Sequence, residues 1–329
     1  MLPSTGMTRM TFLVHKGKEY TVRKYLASWG QELASNVAVR HYPGLRSTGR
    51  TVLKRLSQSW RAWRIGTLDD PGEPSGEPHV YVLTDIERLD PAETERALAL
   101  LRRLEEHPDT ALVLNHPTRS MRRFELLRTL HERGINRFDV YPARERPSPA
   151  RWPVFIRDEN EHAGRFSALL RTQRELDREL AAQGERDLEN KVVVELCDTA
   201  DASGIVRKYG AFRVRERILA RQIHFSRHWV VRVPDLREPE TGREELEYVE
   251  SNPHEAELRE IFALAQIDYG RIDYSVVDGK IQVWEINTNP MILIPKDRQD
   301  PLRFAAHDRF GQDFTACLKE LMASAGEGY

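Results

Sequence analysis

Four side chains late in the sequence have the types and spacing of a cation site. The stretch IDYSVVDGKIQVWEINTNP, residues 272 to 290, carries Asp273 before an Asp-Gly turn and Glu285, Asn287 and Asn289 after it. The last three are spaced by two, so an extended backbone directs them to one face. All four offer oxygen and none offers imidazole or thiolate, a donor set that suits magnesium. Magnesium is held by one or two carboxylates together with substrate phosphates, which makes ATP the natural co-ligand. The alternative is a surface hairpin with polar decoration. Against it, Asn and Pro are depleted in plain strands, yet two Asn share the carboxylate face and Pro290 stops the strand.

Register decides whether Asp273 and Glu285 can meet. Asp278-Gly279 between apolar residues signals a hairpin whose usual loop has two residues. With Val277 opposite Lys280, Asp273 falls opposite Trp284 and leaves the face of Glu285. A three-residue loop, Val277 to Gly279 with Gly279 left-handed in a bulge, makes the two carboxylates same-face diagonal neighbours. The sequence therefore predicts this loop, or another shift of register.

The elements that must position these residues follow from pattern. HVYVLTD, a helix opening at Asp90-Pro91 with Ala97, Leu98, Leu101 and Leu104, and TALVLN form a βαβ unit. A second helix is predicted after Thr118, ended by Gly134. RWPVFIR then gives a strand, residues 163 to 182 a charged helix, and KVVVELC an apolar strand. Three antiparallel strands are expected in GIVRKYGAFRV, ERILARQIHF and HWVVRV, then a polar loop across 235 to 252, a helix over 253 to 265, the hairpin, and a helix near 314 to 323. The chain of 329 residues is long enough for more than one domain.

Fifty Lys and Arg against 51 Asp and Glu give no general reason to expect nucleic acid or a membrane as partner. Residues 16 to 64 are locally basic, with Glu19 and Glu32 the only acids, and read as a solvated face rather than a polyanion dock. No apolar run approaches the roughly 20 residues needed to span a bilayer, and the start lacks the apolar core of a signal peptide. Cys197 and Cys317 offer neither a disulfide framework nor zinc spacing, so a reducing, cytoplasmic location is expected.

VWEINTNP, preceded by YGRIDY, resembles the metal-binding end of the ATP-grasp superfamily, which includes glutathione synthetases and D-alanine ligases. The resemblance implies an α/β (α+β) chain: an unmatched basic region over 1 to 77, an α/β domain over 78 to 145, a small ATP-grasp lobe over 146 to 200 and a large lobe over 201 to 329, with mixed, largely antiparallel sheets. It assigns magnesium to Asp273, Glu285 and Asn287. It places Arg123, at a helix start, and Arg157, where the family has a phosphate-binding Lys, on the nucleotide phosphates. Glu195, Leu196 and Cys197 fall where adenine is received, and Lys208 and Arg221 where cations face the reaction. Arg232 ranks lower as a phosphate ligand, Trp229 is expected as core or cleft wall, and Asp268 as structural. The segment RDENEHAGR departs from the family's glycine-rich lid, holding only Gly164, with His162 as a substitute donor.

The implied activity is an ATP- and magnesium-dependent ligase that activates a small-molecule or peptide carboxylate as an acylphosphate for attack by an amine or similar nucleophile. An ATP-grasp kinase acting on a hydroxyl, and a nucleotide-binding scaffold without catalysis, are the competing readings. The acid, the acceptor and the oligomeric state, a dimer included, are left open.

Overall fold

The computed structural model describes residues 8–43, 67–68, 70–72, 74–160 and 166–327. They fall into two compact units: Met1–Arg119 with Asn289–Arg298 and Phe314–Tyr329, and Ser120–Thr288 with Gln299–Asp313.

The first unit is built on a parallel sheet of β1 (Arg9–Val14), β2 (Val37–His41), β3 (His79–Leu83) and β4 (Thr110–Leu114), in the order β2-β1-β3-β4. Strands such as TFLV and VYVL are continuous apolar runs, as a parallel sheet covered on both faces requires. Helices α1 (Tyr20–Leu26) and α2 (Pro91–Glu106) belong to this unit. Asp90 and Glu93 cap α2 reciprocally and Pro91 opens it, as its sequence signals. Ala97, Leu100 and Leu104 pack with Leu13, Tyr81 and Leu83. The boundary expected at residue 77 runs through this sheet, because β1 pairs with both β2 and β3.

The second unit holds two antiparallel sheets. In the smaller, β5 (Val140–Pro142), β6 (Val154–Asp158) and β7 (Lys191–Glu195) are ordered β5-β7-β6, so a boundary at 145 would separate β5 from its partner. Ile156 and Val193 pack on Leu176 and Leu180 of α4 (Gln173–Ala181), which α5 (Glu185–Leu188) follows. The larger sheet runs β11-β10-β8-β9, with β8 Val206–Val214, β9 Arg217–Ser226, β10 Tyr269–Val277 and β11 Lys280–Asn287. Ile272, Tyr274 and Val283 pack against Leu126 and Leu130 of α3 (Arg123–Glu132) and Leu258, Ile261 and Phe262 of α7 (Glu255–Ala265).

Several element boundaries differ from those predicted. Helix α3 begins at Arg123, and α4 at Gln173 because Phe166 instead bridges to Arg157. The terminal helix α8 spans Phe304–Glu327. The predicted loop 235 to 252 holds α6 (Pro239–Ser251). Its apolar face is thin, but Glu238 and Thr241 cap it, Pro239 opens it, and buried Glu245, Tyr248 and Val249 anchor it. HWVVRV is not a strand. The outer edge of β9 is already covered by α6, whose Glu245 carboxylate accepts the Ile223 N–H at 3.1 Å.

Candidate active site

The hairpin turn is regular. Val277 pairs with Lys280, and Asp278 and Gly279 both have positive φ, 50° and 71°, so the three-residue loop with its bulge at Gly279 does not form. The register shifts farther up the strands. Tyr274 pairs with Val283, but Asp273 pairs with Glu285 and Arg271 with Asn287, leaving Trp284 as the extra residue of a bulge in β11. The two carboxylates stand directly opposite, closer than the predicted diagonal.

A second shift lies at the same level. Between β8 and β9, Gly210 pairs with Gln222 and Ala211 with Ala220, so Arg221 is extra there. Gly210 also pairs with Asp273. Gln222, Gly210, Asp273 and Glu285 thus form one row across four strands, flanked by a bulge on each outer strand. A Cβ on Gly210 would lie 3.1 Å from Cγ of Gln222 and 3.5 Å from Cδ of Arg271, so glycine leaves room for both side chains.

Cations surround the pair. Asp273 accepts from Nε of Arg271 at 2.7 Å and from Nζ of Lys208 at 3.2 Å. Glu285 accepts from Arg157 at 2.9 Å and from Arg123, which also donates to the carbonyls of Asp158 and Glu159. Burial, with Arg123 alongside, pushes the Arg157 guanidinium down to about 10, still charged at neutral pH. Its Nε is buried without a hydrogen-bond partner. The guanidinium groups of Arg157 and Arg232 lie 4.9 and 5.2 Å from the centroid of the Phe166 ring.

These groups close one end of a cavity of about 820 Å³, its open mouth included. Arg157, Lys208, Asp273 and Glu285 line that end, while Phe155, Leu196, Trp229, Val231 and Trp284 supply apolar wall. The cavity thus joins apolar wall to fixed charges of both signs.

The structure brings Arg157, Leu196, Cys197, Lys208, Asp273 and Glu285 to the cavity, along with Trp229 and Arg232. Arg123 is buried behind Glu285, holding its carboxylate. Asn287 ends β11 opposite Arg271, in the same alternation as Glu285. Glu195 is not at the cavity. Its carboxylate accepts the N–H groups of Asp139 and Arg151 and the Tyr141 hydroxyl, because it points to the opposite side of β7 from its neighbour Leu196. Arg221 is not on the cavity wall either. It is buried with its guanidinium 4.9 Å from the Phe310 ring, and burial and Arg303 push it down to about 9. Asn289 belongs to the first unit, where it bonds Thr21, Lys18 and Asp85. Asp268 faces Arg213 at 3.6 Å, a structural place. His162, Gly164 and residues 44 to 64 of the basic segment lie outside the described residues. Arg271 escaped the sequence reading, although the spacing by two that relates Glu285 to Asn287 also relates Arg271 to Asp273.

Among the described residues no three His, Cys, Asp or Glu side chains are grouped to hold a metal. Two opposed carboxylates with a neighbouring amide still fit magnesium, which takes its remaining ligands from water and phosphate. The unpartnered Arg157 Nε fits an anion beside them.

No protein-family model matches the sequence, and no curated protein does. Among solved structures, the chain is similar to the ATP-grasp ligase PsnB complexed with minimal precursor, with TM-score 0.50, 13% identity, and 97% of this chain and 99% of that one covered. It is also similar to the D-alanine–D-alanine ligase of Bacillus anthracis complexed with ATP (0.48, 13%, 96% and 99%) and to an ATP-grasp RimK domain protein of Sphaerobacter thermophilus (0.45, 14%, 92% and 99%). The PsnB match, together with the parallel sheet that precedes two antiparallel ones, gives this chain the ATP-grasp fold.

Proposed function

We propose that the chain is an ATP- and magnesium-dependent ligase that activates a carboxylate as an acylphosphate for attack by an amine or a similar nucleophile. The observation that carries this reading is the placement of Asp273 directly opposite Glu285 at the charged end of an apolar cavity. Phe155, Trp229 and Leu196 would sandwich the base, and Arg157, Lys208 and Arg232 would meet the phosphates. Asp273, Glu285 and Asn287 would hold the magnesium. Bound there, the ion would neutralise phosphate charge and draw electron density from the transferring group.

The chain's own residues do the rest by position. Lys208 sits beside Asp273, where its ammonium offsets charge spread over the equatorial oxygens of a transferring phosphoryl group. Arg123 and Arg157 hold the Glu285 carboxylate in a fixed orientation. The apolar walls exclude water from the nucleotide end, which strengthens those interactions.

The test is hydroxylamine trapping with ATP, magnesium and a panel of amino acids and small carboxylic acids. A ligase yields a hydroxamate together with ADP, and only with an acid present. A stable phosphorylated hydroxyl compound, with no hydroxamate from any acid, would contradict the ligase.

A further inference from the structure

The row of Gln222, Gly210, Asp273 and Glu285 is held from behind. Tyr274 follows Asp273 and points to the opposite face of the sheet, where it packs with α7. Its hydroxyl lies 2.9 Å from the Tyr248 hydroxyl of α6 and 2.9 Å from Nδ1 of His254, which precedes α7. The Tyr248 hydroxyl in turn donates to the Gly210 carbonyl at 3.1 Å. Tyr248 and Tyr274 are both buried, and Tyr209 stacks on Tyr274 at 5.3 Å.

Proton counting gives this chain one direction. The Gly210 carbonyl can only accept, so Tyr248 spends its single proton there. Tyr274 must then donate to Tyr248, and the His254 Nδ1–H must donate to Tyr274. Two members of the relay border the register shifts: Gly210 the one between β8 and β9, and Tyr274 the one between β10 and β11. A bulge sacrifices regular ladder pairing, and a regular continuation from the two-residue turn would put Trp284, not Glu285, opposite Asp273.

We propose that His254, Tyr274 and Tyr248 are positioning residues that pin the two bulges and so keep Asp273 facing Glu285. The functional consequence rests on the reading of that carboxylate pair as a metal site. None of the three touches the cavity. They act through the backbone of Gly210 and Tyr274, on the face away from the ligand.

The test uses Tyr248→Phe, Tyr274→Phe and His254→Ala, with His254→Asn as the conservative variant that keeps an N–H near the Nδ1 position. Native-state amide exchange needs no ligand. The first three variants are expected to exchange faster at Gly210, Asp273, Tyr274 and Glu285, while Leu126 and Leu127 of α3 keep the wild-type rate. Binding of the non-hydrolysable analogue AMP-PNP should lose about tenfold in its magnesium-dependent part, the usual scale for groups that orient metal ligands, and stay within about twofold without metal. His254→Asn should restore both. Wild-type exchange along the row, or equal acceleration in α3, overturns the positioning role. Local acceleration in a protein whose AMP-PNP binding ignores magnesium would support the positioning role and overturn the metal reading.

Discussion

At the residue scale, the site combines two carboxylates with more positive charge than they neutralise. Arg123 and Arg157 both face Glu285, and Arg271 and Lys208 both face Asp273. Burial disfavours the Arg157 charge in the folded protein, and in the proposed function this side chain serves a ligand at the expense of stability. Arg157→Gln is therefore expected to leave the unliganded melting temperature unchanged or higher while weakening AMP-PNP binding about tenfold or more, the scale of a lost charged hydrogen bond at roughly 1.5–3 kcal/mol. A melting temperature lowered by several degrees with intact binding would show the opposite role. Residue types and alternation singled out Asp273 and Glu285, and the family resemblance pointed to Lys208 and Arg157; all four line the cavity. The resemblance misplaced Glu195, because the pleat, one residue out of phase with Leu196, decides its direction. Arg271 is legible by the same alternation, two residues before Asp273, but offers no oxygen donor to mark it as part of a cation site.

At the element scale, what matters is where the register changes. The sequence required a shift between Asp273 and Glu285, either at Gly279, the residue with an obvious glycine signal, or at a position it did not specify. The structure puts it at Trp284, which is an ordinary strand residue by composition, so nothing local marks it. The bulge at Arg221 is equally silent. Helix α6 was hidden for a related reason, since its few buried residues are satisfied by tertiary partners such as Arg303, which grips Glu245 with two bonds. The turn and the site can be separated experimentally. A Cβ on Gly279 meets no atom within 4 Å, so Gly279→Ala adds only the strain of its φ of +71°. It should lower stability by roughly 1 kcal/mol in chemical denaturation and leave magnesium-dependent AMP-PNP binding intact. Loss of the metal dependence in that variant would return control of the register to the turn.

At the scale of the whole molecule, the α/β order of elements was readable where strands and helices alternate strongly, as around α2. The sheet of the first unit was half visible. HVYVLTD and TALVLN stood out, while β1 and β2 lie in short segments among basic residues and join the sheet only through pairing with β3 and with each other. No helix among the described residues is long and apolar enough to cross a membrane. In the proposed function Asp273 and Glu285 are opposed in order to hold a metal against a nucleotide. Calorimetric titration of AMP-PNP into the wild type, Asp273→Asn and Glu285→Gln, each with and without magnesium, reads this out. Tighter binding with magnesium is expected in the wild type, and none of that gain in either variant. Equal binding with and without the metal in the wild type, or a full magnesium gain in Glu285→Gln, would contradict it.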